Sequence, residues 1–294
     1  SIRNKLRTWN AESSESVLVK IESVVLKGID KNENTHYSTI TNGELGLEIS
    51  DISINPWFGI NGSGTMNDPF EISCTRHFEN INNMVVYNDD INEDVVSGYF
   101  ILTADITLPN GFTALDNGYA YFNGSINGNG HTISNFTASG SNGYVGLIKN
   151  NYAHIYDLTL RNFSISVDGD GYVVGFGGVL CGYNHGTIEN VTVINSNITG
   201  NRYSVIGGLI GMSENGSITD CIVSSNVTIK GTYIIGGIVG TSTGDVKAST
   251  FYGKIEYTGR CEITEDVVYE ARIGGITGTL DDRGTVEESR FAGS

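Results

Sequence analysis

Basic residues are scarce: 17 Lys and Arg stand against 33 Asp and Glu in 294 residues, for a net charge of −16. Phosphate binding needs clustered cations, which argues against nucleic acid as a partner. Proline is nearly absent, at 3, and cysteine is sparse, at 4. Four dispersed cysteines cannot staple a disulfide-dense scaffold, and with no CxxC pair they give no zinc site. No apolar run approaches the roughly 18 residues of a membrane span. Helical periodicity is missing from the second half, where apolar residues never recur at i, i+3, i+4 and i+7 over three turns. What is abundant is Gly, at 39, beside 39% hydrophobic residues. That hydrophobic share excludes a disordered chain despite the charge. The glycines follow no three-residue period, which excludes collagen.

The chain opens at Ser1 without Met or a basic leader, so either a leader has been removed or the chain is an excised piece. Low Lys with abundant Asn, Thr, Ser and Gly points to an extracellular or cell-surface location. Eight Asn-x-Ser/Thr triplets occur, at Asn61, Asn123, Asn135, Asn162, Asn190, Asn197, Asn215 and Asn226. About five would arise by chance in this composition, so glycosylation stays open.

An internal repeat organises the second half. Four units align from Gly177, Gly207, Gly236 and Gly274, each opening on Gly-Gly, as in GGLIGMSENGSITDCIVSSNVTIKG. The steps are about 30 residues, with an insertion from roughly Arg260 to Arg272 lengthening the third. Weaker copies begin at Val145 and Gly130. Each unit carries three short apolar runs rich in Val, Ile and Thr, separated by Gly- and Asn-containing corners, which reads as three strands per repeat. Such a coil cannot bury its own inward residues, but stacked coils can. The expected inward column is Ile133, Ile155, Ile188, Ile218, Val246 and Val286, all β-branched. The Gly-Gly pairs would let the backbone bend or approach a neighbouring coil.

These residues resemble the GLUG repeat of adhesin-like bacterial and archaeal surface proteins, a repeat also found in regions preceding some IgA-specific metallopeptidases. GSGTMNDPFEISCTRHFENI, from Gly62, is similar to the lead-in of such repeats, and GYFILTADITL and FNGSINGNGHTISNFT follow in the family order. The resemblance implies an all-β, right-handed parallel β-helix on a secreted or surface-anchored protein, mostly without assigned chemistry.

Residues 59–294 are expected to form the β-helix, capped at its start over about 59–97. Thr75 reads as the N-cap of a short amphipathic helix with Phe78, Ile81 and Val85 on its apolar side. Residues 1–58 do not repeat and read as a β-rich leader or a remnant of a preceding domain. Strands are expected at Ser16–Leu26 and Leu45–Ile54 with a polar turn at Asp30–Asn34. The C-terminus stops partway through a repeat, so either the parent chain continues or this end meets another subunit.

Catalytic carboxylates on a β-helix would stack on one outer face across coils. The column after the inward one, Ser134, Tyr156, Glu189, Thr219, Lys247 and Glu287, shows no such stack. The next, Asn135, Asp157, Asn190, Asp220, Ala248 and Glu288, reads as a corner or a hydrogen-bonded ladder. Asp168-Gly-Asp-Gly171 lacks the remaining ligands of a calcium loop and reads as a turn. Asp89-Asp90 and Asp281-Asp282 read as solvated loop charges. His131, His154 and His185 fall in different columns, and no HExxH is present. Cys181, Cys221 and Cys261 lie 40 apart, out of step with the repeat, and read as free thiols; Cys181 should face Gly211, and Cys221 should face Val191. No metal or cofactor is expected.

Tyr172, Tyr203 and Tyr233, just before the Gly-Gly pairs, are the candidate glycan-binding residues, with Tyr144 and Tyr269 less closely placed. Aromatic faces on successive coils could stack on sugar rings, or on each other. The expected function is a non-enzymatic, adhesin-like module that binds a host or cell-surface glycan or protein. Variable loops such as 260–272 would meet the partner. The alternatives are a filament or sheath subunit, associating through uncapped coil ends, and a carbohydrate-active enzyme.

Overall fold

The computed structural model describes residues 23–29, 35–41, 60–116, 119–169, 173–201, 203–259 and 271–294. Two compact units divide at Phe58 and Gly59. In the first, strands Ser23–Ile29 and Thr35–Thr41 form an antiparallel pair with Ser23 opposite Thr41. The expected strand at Ser16–Leu26 overlaps this one at Ser23–Leu26, its earlier residues lying outside the described ones, and the strand runs on to Ile29. The strand at Thr35–Thr41 was not anticipated, and Leu45–Ile54 lies outside the described residues.

The second unit is a parallel β-solenoid of about six turns, with coils of about 29 residues. One coil illustrates the path: strands Ser204–Gly207, Ile210–Ser213, Ser217–Thr219, Ile222–Val223 and Thr228–Gly231. Five strands per coil, not three, is the observed count. The Gly-Gly hinge hides a strand on each side of itself, and an Asp or Asn corner divides another. At that hinge a Cβ on Gly207 would lie 2.0 Å from the Ile210 carbonyl oxygen, and one on Gly208 2.3 Å from that of Gly237. No other residue fits.

The third glycine of each unit has a separate reason. The first strands of the coils form their own five-stranded sheet. Its outward residues lie over the glycines of the strands that follow: a Cβ on Gly182, Gly240 or Gly278 would sit 2.6–2.9 Å from side-chain atoms of Tyr144, Val205 and Ile234. Glycine there lets the two sheets touch.

The core is built from ladders. Ile155, Ile188, Ile218, Val246 and Val286 pair in register as expected. Ile133 does not belong to that column. It stacks between Ile106 and Leu160, and the residue preceding Ile155 is Ile126. Strand His154–Asp168 turns two corners, at Asp157 and Asn162, both with positive φ. Each of its sides therefore presents a similar apolar pattern, and matching by pattern alone cannot choose between them. Phenylalanines extend the core toward the N-terminal end, with Phe70, Phe100 and Phe122 at 6.2–6.3 Å centroid spacing. Each fully buried Ile or Phe contributes about 1.5–3 kcal/mol.

A polar row runs inside this hydrocarbon. Asn151, Asn184, Ser213 and Ser242 align in register and are 0% exposed. Asn151 Nδ2 donates to Asn184 Oδ1 at 2.8 Å, and Asn184 Nδ2 to Ser213 Oγ at 3.2 Å. The same amides also satisfy the carbonyls of Ala153 and Gly186 at the next corner. Buried polar groups are tolerated because they are hydrogen-bonded.

At the N-terminal end, helix Thr75–Glu79 and the 3-10 turn Asn80–Asn83 bury Phe78 and Ile81 completely. The N-cap is Cys74, without a side-chain cap, rather than Thr75. Thr75 Oγ1 instead donates to the Thr107 carbonyl at 2.9 Å, tying the helix to the first coil.

Candidate functional site

Of the predicted tyrosines, Tyr203 and Tyr233 do not fall in one column. Tyr172 and Tyr269 lie outside the described residues. Tyr203 and Tyr233 are half-buried. The register of Val205 with Ile234 puts Tyr203 opposite Thr232 and Tyr233 opposite Ser204, one step out of line. Gly177-Gly178 is likewise one residue out of step with Gly207-Gly208, because Gly177 pairs with Ile206. Cys181 consequently faces Ile210, not Gly211. Cys181 and Cys221 are buried free thiols; Cys261 lies outside the described residues.

The column from Asn135 to Glu288 consists of corners. Asn135, Asp157, Asn190, Asp220, Ala248 and Glu288 all have φ between 49° and 66°. They belong to two ladders: Asn162 Nδ2 donates to Asn135 Oδ1 at 3.0 Å, and Asn190 Nδ2 to Asp157 Oδ1 at 2.7 Å. Asn and Asp tolerate this left-handed conformation better than other side chains with a Cβ. The corner also accounts for sequons. After Asn135, Asn162 and Asn190 the next residue is buried (Phe136, Phe163, Val191) and the one after is Thr137, Ser164 or Thr192, turned outward. Alternation at a corner therefore writes Asn-x-Ser/Thr without reference to glycans.

The structure assembles a different aromatic group. Tyr152, His185 and Glu214 each follow a member of the buried polar row, so they stack in register on the outside of one corner. Tyr121 lies 4.3 Å from Tyr152, and Tyr152 4.6 Å from His185, between ring centroids. Tyr183 joins from the adjoining strand, 4.7 Å from His185 and 4.8 Å from Tyr144. Tyr144 and Tyr152 remain 37% and 41% exposed. The rings of Tyr152 and His185 and those of Tyr144 and Tyr183 stack, Tyr183 meets His185 edge to face, and the Tyr121 hydroxyl accepts from Asn88 Nδ2. The signal was present in NNY, YNH and MSE at residues 150–152, 183–185 and 212–214, but it appears only once the polar row sets the alignment.

Glu214 closes the group. It accepts the Tyr183 hydroxyl and stands 3.7 Å from His185 Nε2. Burial, then the Glu214 hydrogen bond and charge, raise the Tyr183 phenol far above its usual range. Burial raises Tyr144 and Tyr152 as well, with Glu214 adding to each. Burial lowers His185, partly offset by Glu214. The phenols thus keep their protons, and the face is a hydrogen-bonding surface. Each of the other outer histidines also meets a carboxylate of an adjacent coil: His131 with Asp105 at 3.2 Å and His154 with Glu189 at 3.5 Å.

Among the described residues, no group of three His, Cys, Asp or Glu is placed to hold a metal ion, and no helix is long and apolar enough to cross a membrane. No protein-family profile matches the chain. Over 158 residues, 51% of the chain, it is 34% identical to halomucin of Haloquadratum walsbyi. Over 143 residues, 45% of the chain, it is 31% identical to a protein of Evansella cellulosilytica provisionally named Gly-rich membrane protein. The matches span only 2% and 15% of those proteins' own lengths.

Proposed function

We propose that this chain is a non-enzymatic, extracellular, adhesin-like module that binds a cell-surface or host glycan or protein through the aromatic face of its solenoid. The observation that carries the reading is the group of Tyr121, Tyr144, Tyr152, Tyr183 and His185, exposed at a corner of stacked, rigid coils. Tyrosine suits such a surface because each ring couples a large apolar body to a polar edge. The resemblance to GLUG repeats supports the same assignment. Likeness to parts of two longer proteins, one named for a membrane, supports a surface or membrane-associated setting.

Against catalysis stands the chemistry of the face. A glycosidase needs two carboxylates flanking one bond, whereas Glu214 is a single carboxylate already engaged by Tyr183 and His185. A tyrosine base needs a lowered phenol, and Tyr183 is raised.

Arrays of glycans and of host surface proteins, probed with wild type and Tyr152→Ala, test the reading. Retention of at least one glycan or protein class, weakened about tenfold or more in the variant, is expected. Release of new sugar ends from a polysaccharide panel would overturn the non-enzymatic assignment. Retention that ignores Tyr152→Ala would overturn the face.

A further inference from the structure

We propose that Tyr144 and Tyr183 form an oxidative cross-linking site, where a haem peroxidase using hydrogen peroxide joins two adjacent coils through a dityrosine bond. This goes beyond the aromatic face as a binding surface and does not depend on it. Tyr144 opens one coil. That coil's strand Ile148–Asn151 pairs in register with Cys181–Asn184 of the next, Asn150 opposite Tyr183. Across this junction the Tyr144 and Tyr183 rings stack at 4.8 Å between centroids and 22° between planes. A Cβ on Gly182 would lie 2.6 Å from the Tyr144 Cβ, so glycine is what lets the two strands bring these rings together.

Coupling two phenols requires an electron and a proton to leave each. The Tyr183 hydroxyl donates to Glu214, so a proton acceptor stands in place when the electron departs. Tyr144 is 37% exposed and its hydroxyl makes no hydrogen bond among the described residues, so its proton passes to water. The peroxidase takes the first electron at the exposed Tyr144. The vacancy crosses the stack to Tyr183, whose proton moves to Glu214. A second electron and a proton then leave Tyr144. The two phenoxyl radicals pair at the ring carbons ortho to their oxygens, the exposed Tyr144 ring sliding to bring them together. Each ortho hydrogen leaves as a proton, and each phenoxyl oxygen regains one. Hydrogen peroxide takes up both electrons and both protons as water, and the protein is lighter by two hydrogens. Because the partner ring is held in contact, coupling within the chain outruns encounters between chains.

The neighbouring pair sets a contrast. Tyr121 and Tyr152 are closer, at 4.3 Å, but neither hydroxyl meets a carboxylate. That of Tyr121 accepts from Asn88 Nδ2, and that of Tyr152 makes no hydrogen bond among the described residues. Distance alone favours Tyr121 with Tyr152, whereas a place for the proton favours Tyr144 with Tyr183. Tyr87, Tyr252 and Tyr257 are exposed but stack on no ring among the described residues.

Treating the full chain at high dilution with a haem peroxidase and limiting hydrogen peroxide tests the site, read by intact mass, denaturing gel and peptide mapping. A monomer lighter by two hydrogens, with the Tyr144 and Tyr183 peptides joined, is expected. Glu214→Gln should slow its formation about tenfold or more. Tyr144→Phe, at the exposed ring, should abolish it, and Tyr252→Phe should leave it unchanged. A Tyr121–Tyr152 bond formed first, or an unchanged rate in Glu214→Gln, would overturn the role of Glu214 as proton acceptor. Linkage only between separate chains, or the same product from Tyr144→Phe, would overturn the cross-linking site.

Discussion

Cys74, Cys181 and Cys221 carry the same thiol in three environments. Burial alone would raise Cys74, but the His77 hydrogen bonds and charge, helped by Arg76, bring it down to about 7. Burial pushes Cys221 up to about 12 and Cys181 well above its usual value. Iodoacetamide should therefore label native Cys74 with a rate rising through about pH 7, while Cys181 and Cys221 react only on unfolding. Peptide mass mapping checks this, and equal labelling of all three would contradict the burial. Asp116 is the opposite case. It is 1% exposed, and its carboxylate accepts Lys149 N at 2.8 Å and Asn150 N at 2.7 Å, yet burial outweighs these bonds and raises it above 3.8. The native state holds this proton more tightly than the unfolded chain. The associated stability is complete below the unfolded value and is lost as pH rises through the native one. Wild type should gain on Asp116→Asn in urea midpoint as pH falls from about 7 towards 4. In Asp116→Ala the part-buried N–H groups of Lys149 and Asn150 lose their acceptor, at about 1 kcal/mol each.

At the scale of strands and corners, the repeat was legible because inward apolar residues recur, and its exact register was not. The step is 29 residues at Ile210 and Val239 but 26 at Ile229 and Ile255. Sides of one coil thus keep different periods, and a single alignment offset misplaces some of them, as it did Ile133 and Cys181. Tyr203 and Tyr233 miss one another for a different reason: Gly207 and Gly236 pair in register, but Tyr203 stands four residues before the first and Tyr233 three before the second. The aromatic face needed the buried Asn and Ser row as its ruler, and buried polar residues do not announce themselves in a hydrophobic pattern. One prediction belongs here. Tyr257 pairs with Gly231 and Arg272 with Ile234, so the connection after Tyr257 is twelve residues longer than its counterpart, Thr232-Tyr233. Replacing residues 258–271 by Thr-Tyr should leave the flanking register intact. Loop length alone costs little, so the melting temperature should move by only a few degrees, as calorimetry would show. Collapse of the fold would mean the insertion itself holds the last coil.

In the solenoid unit each coil rests on its neighbours, so stability is a sum of local interfaces. Inner residues of the middle coils, such as Ile188 and Ile218, are 0% exposed, whereas Ile273, Val286 and Phe291 in the last coil are 48%, 37% and 49% exposed. Amide hydrogen exchange should be slowest around 188–223 and fastest over 271–294, decreasing coil by coil rather than in one block. Uniform protection would indicate a single cooperative unit. The buried row of Asn151, Asn184, Ser213 and Ser242 acts across the same distance. A coil slipped by one residue would set the Asn184 amide against Met212 or Glu214 instead of Ser213, so the row serves as a keyway that rejects misaligned stacking. A gene segment that duplicates one of these four coils brings its own key at the right depth. Lengthening by copying is then self-correcting, and a chain of this kind can grow by many coils without redesign of its interior.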